Sequence, residues 1–204
     1  MRASATHASS AKKNQKRTDV KAIIFWPVLL LVVVIDIITK TLAVTLLAPS
    51  GLPHAVLGDG LRFALVYNPG AAFGLYLGAY SRWIFMALTC GALVILWRLY
   101  KQTGAGDRLR LIAVTMVTAG AIGNLLDRIR SDLGVVDFID VGFGGHRWPT
   151  FNVADMAVSG GAFLLAWVLW GEDRKSVAVL SGSEPAPTES SASAPRASGR
   201  AESA

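Results

Sequence analysis

The chain has 204 residues, a formal net charge of +6 and 52% hydrophobic residues, and 17% of it is charged against roughly 25% in soluble domains. Low charge and a mean hydropathy of +0.45 argue against a soluble domain, and Cys90, the single cysteine, excludes a disulfide framework or a cysteine-based metal cluster. The basic balance could suit nucleic acid, but the positive residues sit beside apolar runs, where they read as membrane topology, so no nucleic-acid partner is expected. In chain order, residues 1–21 are rich in Ala, Ser and Lys and are expected to be a disordered basic segment. A first apolar run, Ala22–Ala48, is long enough to cross a bilayer. It is too long for a signal core, carries Asp36 and Lys40 and lacks a small-residue cleavage site, so it reads as a retained helix. Residues 49–80 hold Pro49, Gly51, Pro53, Gly58 and Gly60, then the mixed run Leu61–Tyr67, read as one or two short strands. Three further spans are expected at Trp83–Tyr100, Leu109–Leu126 and Val153–Trp170, and residues 172–204 are a polar tail expected to be disordered.

Orientation follows from Lys and Arg. The N-terminal segment carries Arg2, Lys12, Lys13, Lys16, Arg17 and Lys21; the second connection carries Arg98, Lys101, Arg108 and Arg110; the tail carries Arg174, Lys175, Arg196 and Arg200. Residues 49–80 contain Arg62 alone, and 127–155 set Arg128, Arg130 and Arg147 against five aspartates. The positive-inside rule then places both termini in the cytoplasm and the segments 49–80 and 127–155 on one outer face. Trp26, Trp83, Trp148 and Trp170 fall near span ends, as interfacial aromatics do.

An acid at membrane depth needs a reason. Asp155 opens the fourth span, Asp127 closes the third, and Asp137 follows ten residues later within Val135-Val136-Asp137-Phe138. The connection returns the chain to the same boundary, so two of these carboxylates can meet there. Two facing carboxylates can hydrolyse a peptide bond, one ionised to take a proton from water and one protonated to give a proton to the carbonyl oxygen. The dipole of a helix N-terminus favours the anion, which suits Asp155 as the ionised partner and Asp137 as the acid. Asp127 is the rival for the second place, although its neighbour Arg128 favours a permanently ionised, charge-paired role. Acids at helix starts are otherwise usually caps. Asn124 and Asn152 could likewise cap helix ends or hold a peptide across the acids. Asp36 and Lys40 have i,i+4 spacing with the acid first, which favours a buried ion pair; a polar pathway is the other reading. Gly104-Ala105-Gly106-Asp107 spells the GxGD of another class of membrane aspartic protease, but it lies in a basic turn where Gly-Asp is ordinary turn chemistry. His7, His54 and His146 have no metal-ligand spacing.

Five blocks, read together, resemble the lipoprotein signal peptidase (type II signal peptidase) family: Asp36-Ile-Ile-Thr39-Lys40, Asn68-Pro-Gly70-Ala71-Ala72-Phe73, Gly123-Asn124-x-x-Asp127-Arg128, Val135-Val136-Asp137-Phe138 and Phe151-Asn152-x-Ala154-Asp155. They span about residues 22–171. The resemblance implies an all-α membrane protein with four transmembrane helices and a small extracytoplasmic β-cradle at 49–80, with the outer loop 127–155 beside it. It further implies an aspartic endopeptidase of the bacterial cytoplasmic membrane that cuts signal peptides from diacylglyceryl-prolipoproteins before the lipidated cysteine. Asp137 and Asp155 would be catalytic and Asn68, Asn124, Arg128 and Asn152 would contact substrate. Asp36, Lys40 and Asp127 would be structural polar residues. No cofactor or metal is expected, membrane lipid and the prolipoprotein are the expected partners, and the protein is expected to be a monomer. Ile37 and Pro69 depart from the family's usual Gln and Thr, and Pro69 removes a backbone donor from the cradle. The reading from a different class is a small four-helix transporter or channel using Asp36 and Lys40, which would need its acids at the midplane.

Overall fold

Hydrocarbon offers the backbone no hydrogen-bond partners, so apolar runs of this length become helices that satisfy their own N–H and C=O groups. The computed structural model describes residues 2–70 and 78–180. Four helices in it are long and apolar enough to cross a membrane: Val20–Leu46, Ser81–Gln102, Arg108–Arg130 and Val153–Arg174. They belong to α1 (Arg2–Leu46), α2 (Ser81–Gln102), α3 (Arg108–Arg130) and α4 (Val153–Leu180). Helix therefore occupies residues 2–21 and 172–180, where a disordered arm and tail were expected. Ala, Lys, Arg and Glu are good helix formers and can extend a span that is already nucleated. Residues 181–204 of the expected tail lie outside the described residues.

The third span is the central one: 39% of its most apolar 18-residue stretch is buried, against 17, 6 and 17% for the corresponding stretches of the others. Phe25 and Leu29 of α1 pack on Ala119 of α3, with Val32, Val33, Tyr100 and Ile122 around them. Small residues bring α3 and α4 close: a Cβ on Gly120 would stand 2.3 Å from the Ala154 carbonyl oxygen, and one on Gly161 2.8 Å from that of Ala113. Leu31, Ile38, Ile95 and Phe163 are exposed, as expected where lipid is the solvent. The chain divides into two units, Met1–Leu169 and Trp170–Ala204, and everything that positions the site lies in the first.

Above the helices sits a four-stranded antiparallel sheet in the order β1 (His54–Leu57), β2 (Leu61–Asn68), β3 (Val135–Phe143) and β4 (His146–Arg147). One or two strands were expected within 49–80; the segment forms two, and they are joined by two from the connection 127–155, which was read for its acids alone. Val135, Val136, Phe138, Ile139 and Val141 are strand formers bounded by Gly134 and Gly142, and pairing with β2 converts that propensity into a ladder. The register sets Val66 opposite Asp137 and Asn68 opposite Val135. Beyond β4 the chain returns along β3: the Phe138 and Ile139 N–H groups donate to the Phe151 carbonyl oxygen at 3.1 and 2.8 Å, and the Phe151 N–H to that of Ile139 at 3.0 Å. This stitch delivers the start of α4 beside Asp137.

Gly134 starts β3 with φ of +100°, and a Cβ there would lie 2.1 Å from the Asn68 carbonyl oxygen. Gly134→Ala thus combines left-handed strain with a backbone clash. It is expected to lower stability by about 1–3 kcal/mol in detergent unfolding and to displace Asn68.

Candidate active site

α4 opens with a reciprocal cap. The Asn152 side-chain oxygen Oδ1 accepts the Asp155 N–H at 2.9 Å, and Asp155 Oδ2 accepts the Asn152 N–H at 3.1 Å, the capping-box arrangement with an acid at the third helical position. The other Asp155 oxygen, Oδ1, accepts Asn124 Nδ2 at 2.7 Å. Capping and site chemistry thus use the same residue: one carboxylate oxygen closes the helix start, and the other turns to α3.

Asp137 is 3% exposed. Its Oδ1 accepts Asn152 Nδ2 at 2.7 Å and its Oδ2 accepts Asn68 Nδ2 at 3.2 Å. Asn68 is itself oriented, because its Oδ1 accepts the Gly70 N–H at 3.0 Å. Asn152 is therefore bonded to both carboxylates, through its side-chain amide to Asp137 and through its backbone N–H to Asp155. Burial pushes the Asp137 carboxyl up, and the Asp155 charge adds to it. The donors on Asn68 and Asn152 and the Lys40 charge work the other way, and the balance is about 7 against an ordinary 3.8.

Behind this pair lies a buried ionic cluster. Lys40, 4% exposed, places Nζ 2.8 Å from Asp36 Oδ2, 2.8 Å from Asp127 Oδ2 and 3.0 Å from Asn124 Oδ1. The other Asp36 oxygen accepts the Ala154 N–H at 2.8 Å, a second cap on α4 supplied from α1. Asp127 Oδ2 also accepts the Val136 N–H at 3.2 Å. Arg128 donates to the Asn124 carbonyl oxygen at 3.1 Å and stacks over Phe85 at 5.5 Å. Its buried Nε has no hydrogen-bond partner among the described residues, and Asp155, Asp137 and Asp127 are the charges that act on it.

A model of the family described as "Signal peptidase (SPase) II" matches residues 28–171. The chain belongs to the signal peptidase II family. It is 39% identical over 150 residues to a lipoprotein signal peptidase of Polynucleobacter necessarius, covering 72% of this chain and 87% of that protein. It is 38% identical over 162 residues to one of Cupriavidus necator, covering 78% and 89%. A bacterial membrane enzyme solved by the in meso method at 2.3 Å resolution superposes with a TM-score of 0.65 at 26% identity, covering 79% of this chain and 92% of that one. Family membership and the four spans make this a multi-pass bacterial membrane peptidase. Neither supports the transporter reading, and Asp36 and Lys40 are bonded to each other and to their neighbours.

Within this signal peptidase II fold, Asn68, Asn124, Asp137, Asn152 and Asp155 form one hydrogen-bonded set. Asp36, Lys40 and Asp127 form a second, and Asn124 joins them. The expected ion pairing of Asp127 with its neighbour Arg128 is replaced by pairing with Lys40. Successive helical residues face different directions, and Asp127 turns to α1 while Arg128 turns to Phe85. Ala71, Ala72 and Phe73 of the second block lie outside the described residues. Asp107 of the GxGD run caps α3 by accepting the Arg110 N–H at 3.1 Å. Asp140, another outer acid, lies between Arg62 and Arg147 at 2.8 and 2.5 Å; burial would raise it, but the two guanidiniums outweigh that and hold it below the usual carboxylate range.

Sequence reading missed Arg82 and Phe85. Arg82 donates to the Arg128 carbonyl oxygen at 2.7 Å and pairs with Asp132, closing the C-terminal end of α3. A positive charge at the end of a span that the Lys and Arg distribution reads as outer was the available signal, since it runs against the positive-inside pattern.

Proposed function

We propose that this protein is an aspartic endopeptidase that removes the signal peptide from prolipoproteins, with Asp155 as general base and Asp137 as general acid. The observation that carries the reading is the convergence of both carboxylates on Asn152, one buried toward neutrality and one held by two N–H donors. Asp155 takes a proton from a water placed between the acids, and the water oxygen attacks the scissile carbonyl carbon. Asp137 gives its proton to the carbonyl oxygen as the tetrahedral species forms. Collapse re-forms the C=O bond, returning its proton to Asp137, and breaks the C–N bond as Asp155 passes the proton taken from water to the departing nitrogen. Both acids are thereby restored and no acyl-enzyme arises.

The substrate class is a lipid-modified precursor cut before its diacylglyceryl cysteine. The apolar signal helix and the acyl chains would reach the acids sideways from the bilayer. Asn68, Asn124, Arg128 and Asn152 would hold the extended peptide. Both termini face the cytoplasm in this reading, following the Lys and Arg distribution, and the acids face outward; the protein acts as a monomer.

Processing of a purified diacylglyceryl precursor, with the new N-terminus sequenced, tests the reading. Cleavage at the cysteine is the expected result; a cut elsewhere, or none, defeats it. The basic limb of the pH profile is a second readout. If Asp137 must carry the proton, the rate falls about tenfold per pH unit above about 7. The stability contributed by this raised carboxyl is likewise fully present below its ordinary 3.8 and is lost as pH rises through about 7. A rate that keeps climbing through pH 9 would remove Asp137 from the role of acid.

A further inference from the structure

We propose that Lys40 is a positioning residue for hydrolysis: by holding Asn124 Oδ1 from α1, it turns the amide so that Asn124 Nδ2 donates to Asp155. The inference rests on the reading of Asp155 as the general base. An amide offers oxygen on one side and NH₂ on the other, and it can flip. An ammonium group has three donors and no acceptor, so it admits the amide oxygen and rejects the NH₂. Lys40 Nζ stands 3.0 Å from Asn124 Oδ1, and Asn124 Nδ2 stands 2.7 Å from Asp155 Oδ1. Reversing the amide would set NH₂ against the ammonium and leave two oxygens facing each other at Asp155.

Lys40 is itself fixed. Asp36 and Asp127 hold the ammonium by ion pairs at 2.8 Å each, and the side chain is buried at the junction of α1 and α3. Asn152 Nδ2 also approaches Asn124 Oδ1, at 3.2 Å, but its two hydrogens are shared with Asp137 Oδ1 at 2.7 Å and the Val136 carbonyl oxygen at 3.3 Å. The lysine is the donor at this oxygen that carries a charge, and charged donors make the stronger hydrogen bonds. A residue 84 positions earlier than Asn124 in the chain thereby decides which atom the base meets.

The test is a double-mutant cycle of Lys40→Met and Asn124→Leu in the full-length protein in lipid or detergent, with precursor cleavage as the readout. Lys40→Met is expected to lower kcat about 10- to 100-fold, the size of one hydrogen bond to a charged group, with KM changed less than about threefold. In the Asn124→Leu background the same substitution is expected to cost less than about threefold, because the amide it acts through is gone. A merely structural lysine would instead cost the same factor in both backgrounds. If Lys40→Met does not insert, the cycle is run with Lys40→Met/Asp127→Asn, which leaves the net charge of the cluster unchanged. Equal factors in the two backgrounds, a loss confined to KM, or failure of both variants to insert overturns the proposal. Asp155→Asn is measured alongside: if it stays active the general-base reading fails, whereas if it is inactive and the cycle is additive the positioning role alone fails.

Discussion

Asp155→Asn and Asp137→Asn are each expected to reduce precursor cleavage by about 10³-fold or more, at the upper end of what general acid–base groups contribute. The two losses have different physical causes. At 155 the amide cannot take a proton from water. One of its two faces must also present NH₂ to a donor, either Asn124 Nδ2 or the Asn152 N–H, where carboxylate oxygens now accept at 2.7 and 3.1 Å. The base is lost together with one of these two hydrogen bonds. At 137 both carboxylate oxygens likewise accept amide donors, from Asn152 at 2.7 Å and Asn68 at 3.2 Å. The looser Asn68 contact is the one to give way, so insertion and folding are expected to survive while the transferable proton is gone. Asp127→Asn is the comparison that decides between the rival acids. Its carboxylate is committed to Lys40 and the Val136 N–H, so the variant is expected to lose less than about tenfold in rate, below what a general acid–base group contributes. Should Asp127→Asn be inactive and Asp137→Asn retain cleavage, the acid is wrongly assigned.

The spans were legible because lipid-facing residues have a single physical requirement. A run such as Val28–Ile35 states its environment without any knowledge of its neighbours. The acids were legible for the opposite reason, since Asp36, Asp127, Asp137 and Asp155 stand where carboxylates are costly unless matched. Their partners were harder to read. The pairing of Asp127 with Lys40 depends on the rotation of α3 against α1, and the helix sequence offered Arg128 next door as an equally good candidate. β3 escaped because its alternation is interrupted by acids: Asp137 and Asp140 break a run of Val, Phe and Ile that otherwise has strand character. The contact that brings Asp137 to Asn152, the stitch between Phe151 and Ile139, is made of backbone atoms and leaves no mark in side-chain chemistry.

Asp36→Ala is expected to produce the largest loss of stability, about 3–5 kcal/mol, because it breaks a buried ion pair by removing one partner. Asp36 is 1% exposed and serves two elements at once. Oδ2 meets Lys40 at 2.8 Å, and Oδ1 accepts the Ala154 N–H at 2.8 Å, one of the orphan donors at the start of α4. The alanine variant leaves that N–H unpaired and withdraws one of the two negative charges that compensate Lys40. Gly123 is what leaves the carboxylate its room, since a Cβ there would lie 2.5 Å from Asp36 Oδ2. Asp36→Asn separates the two contributions, since its amide oxygen can still accept from Ala154 while the charge is lost. It is expected to fall between wild type and Asp36→Ala in denaturant unfolding in mixed micelles. If the alanine variant unfolds within about 1 kcal/mol of wild type, water reaches the cluster and substitutes for the carboxylate, and the α1–α4 contact is not what holds Asp155 in place.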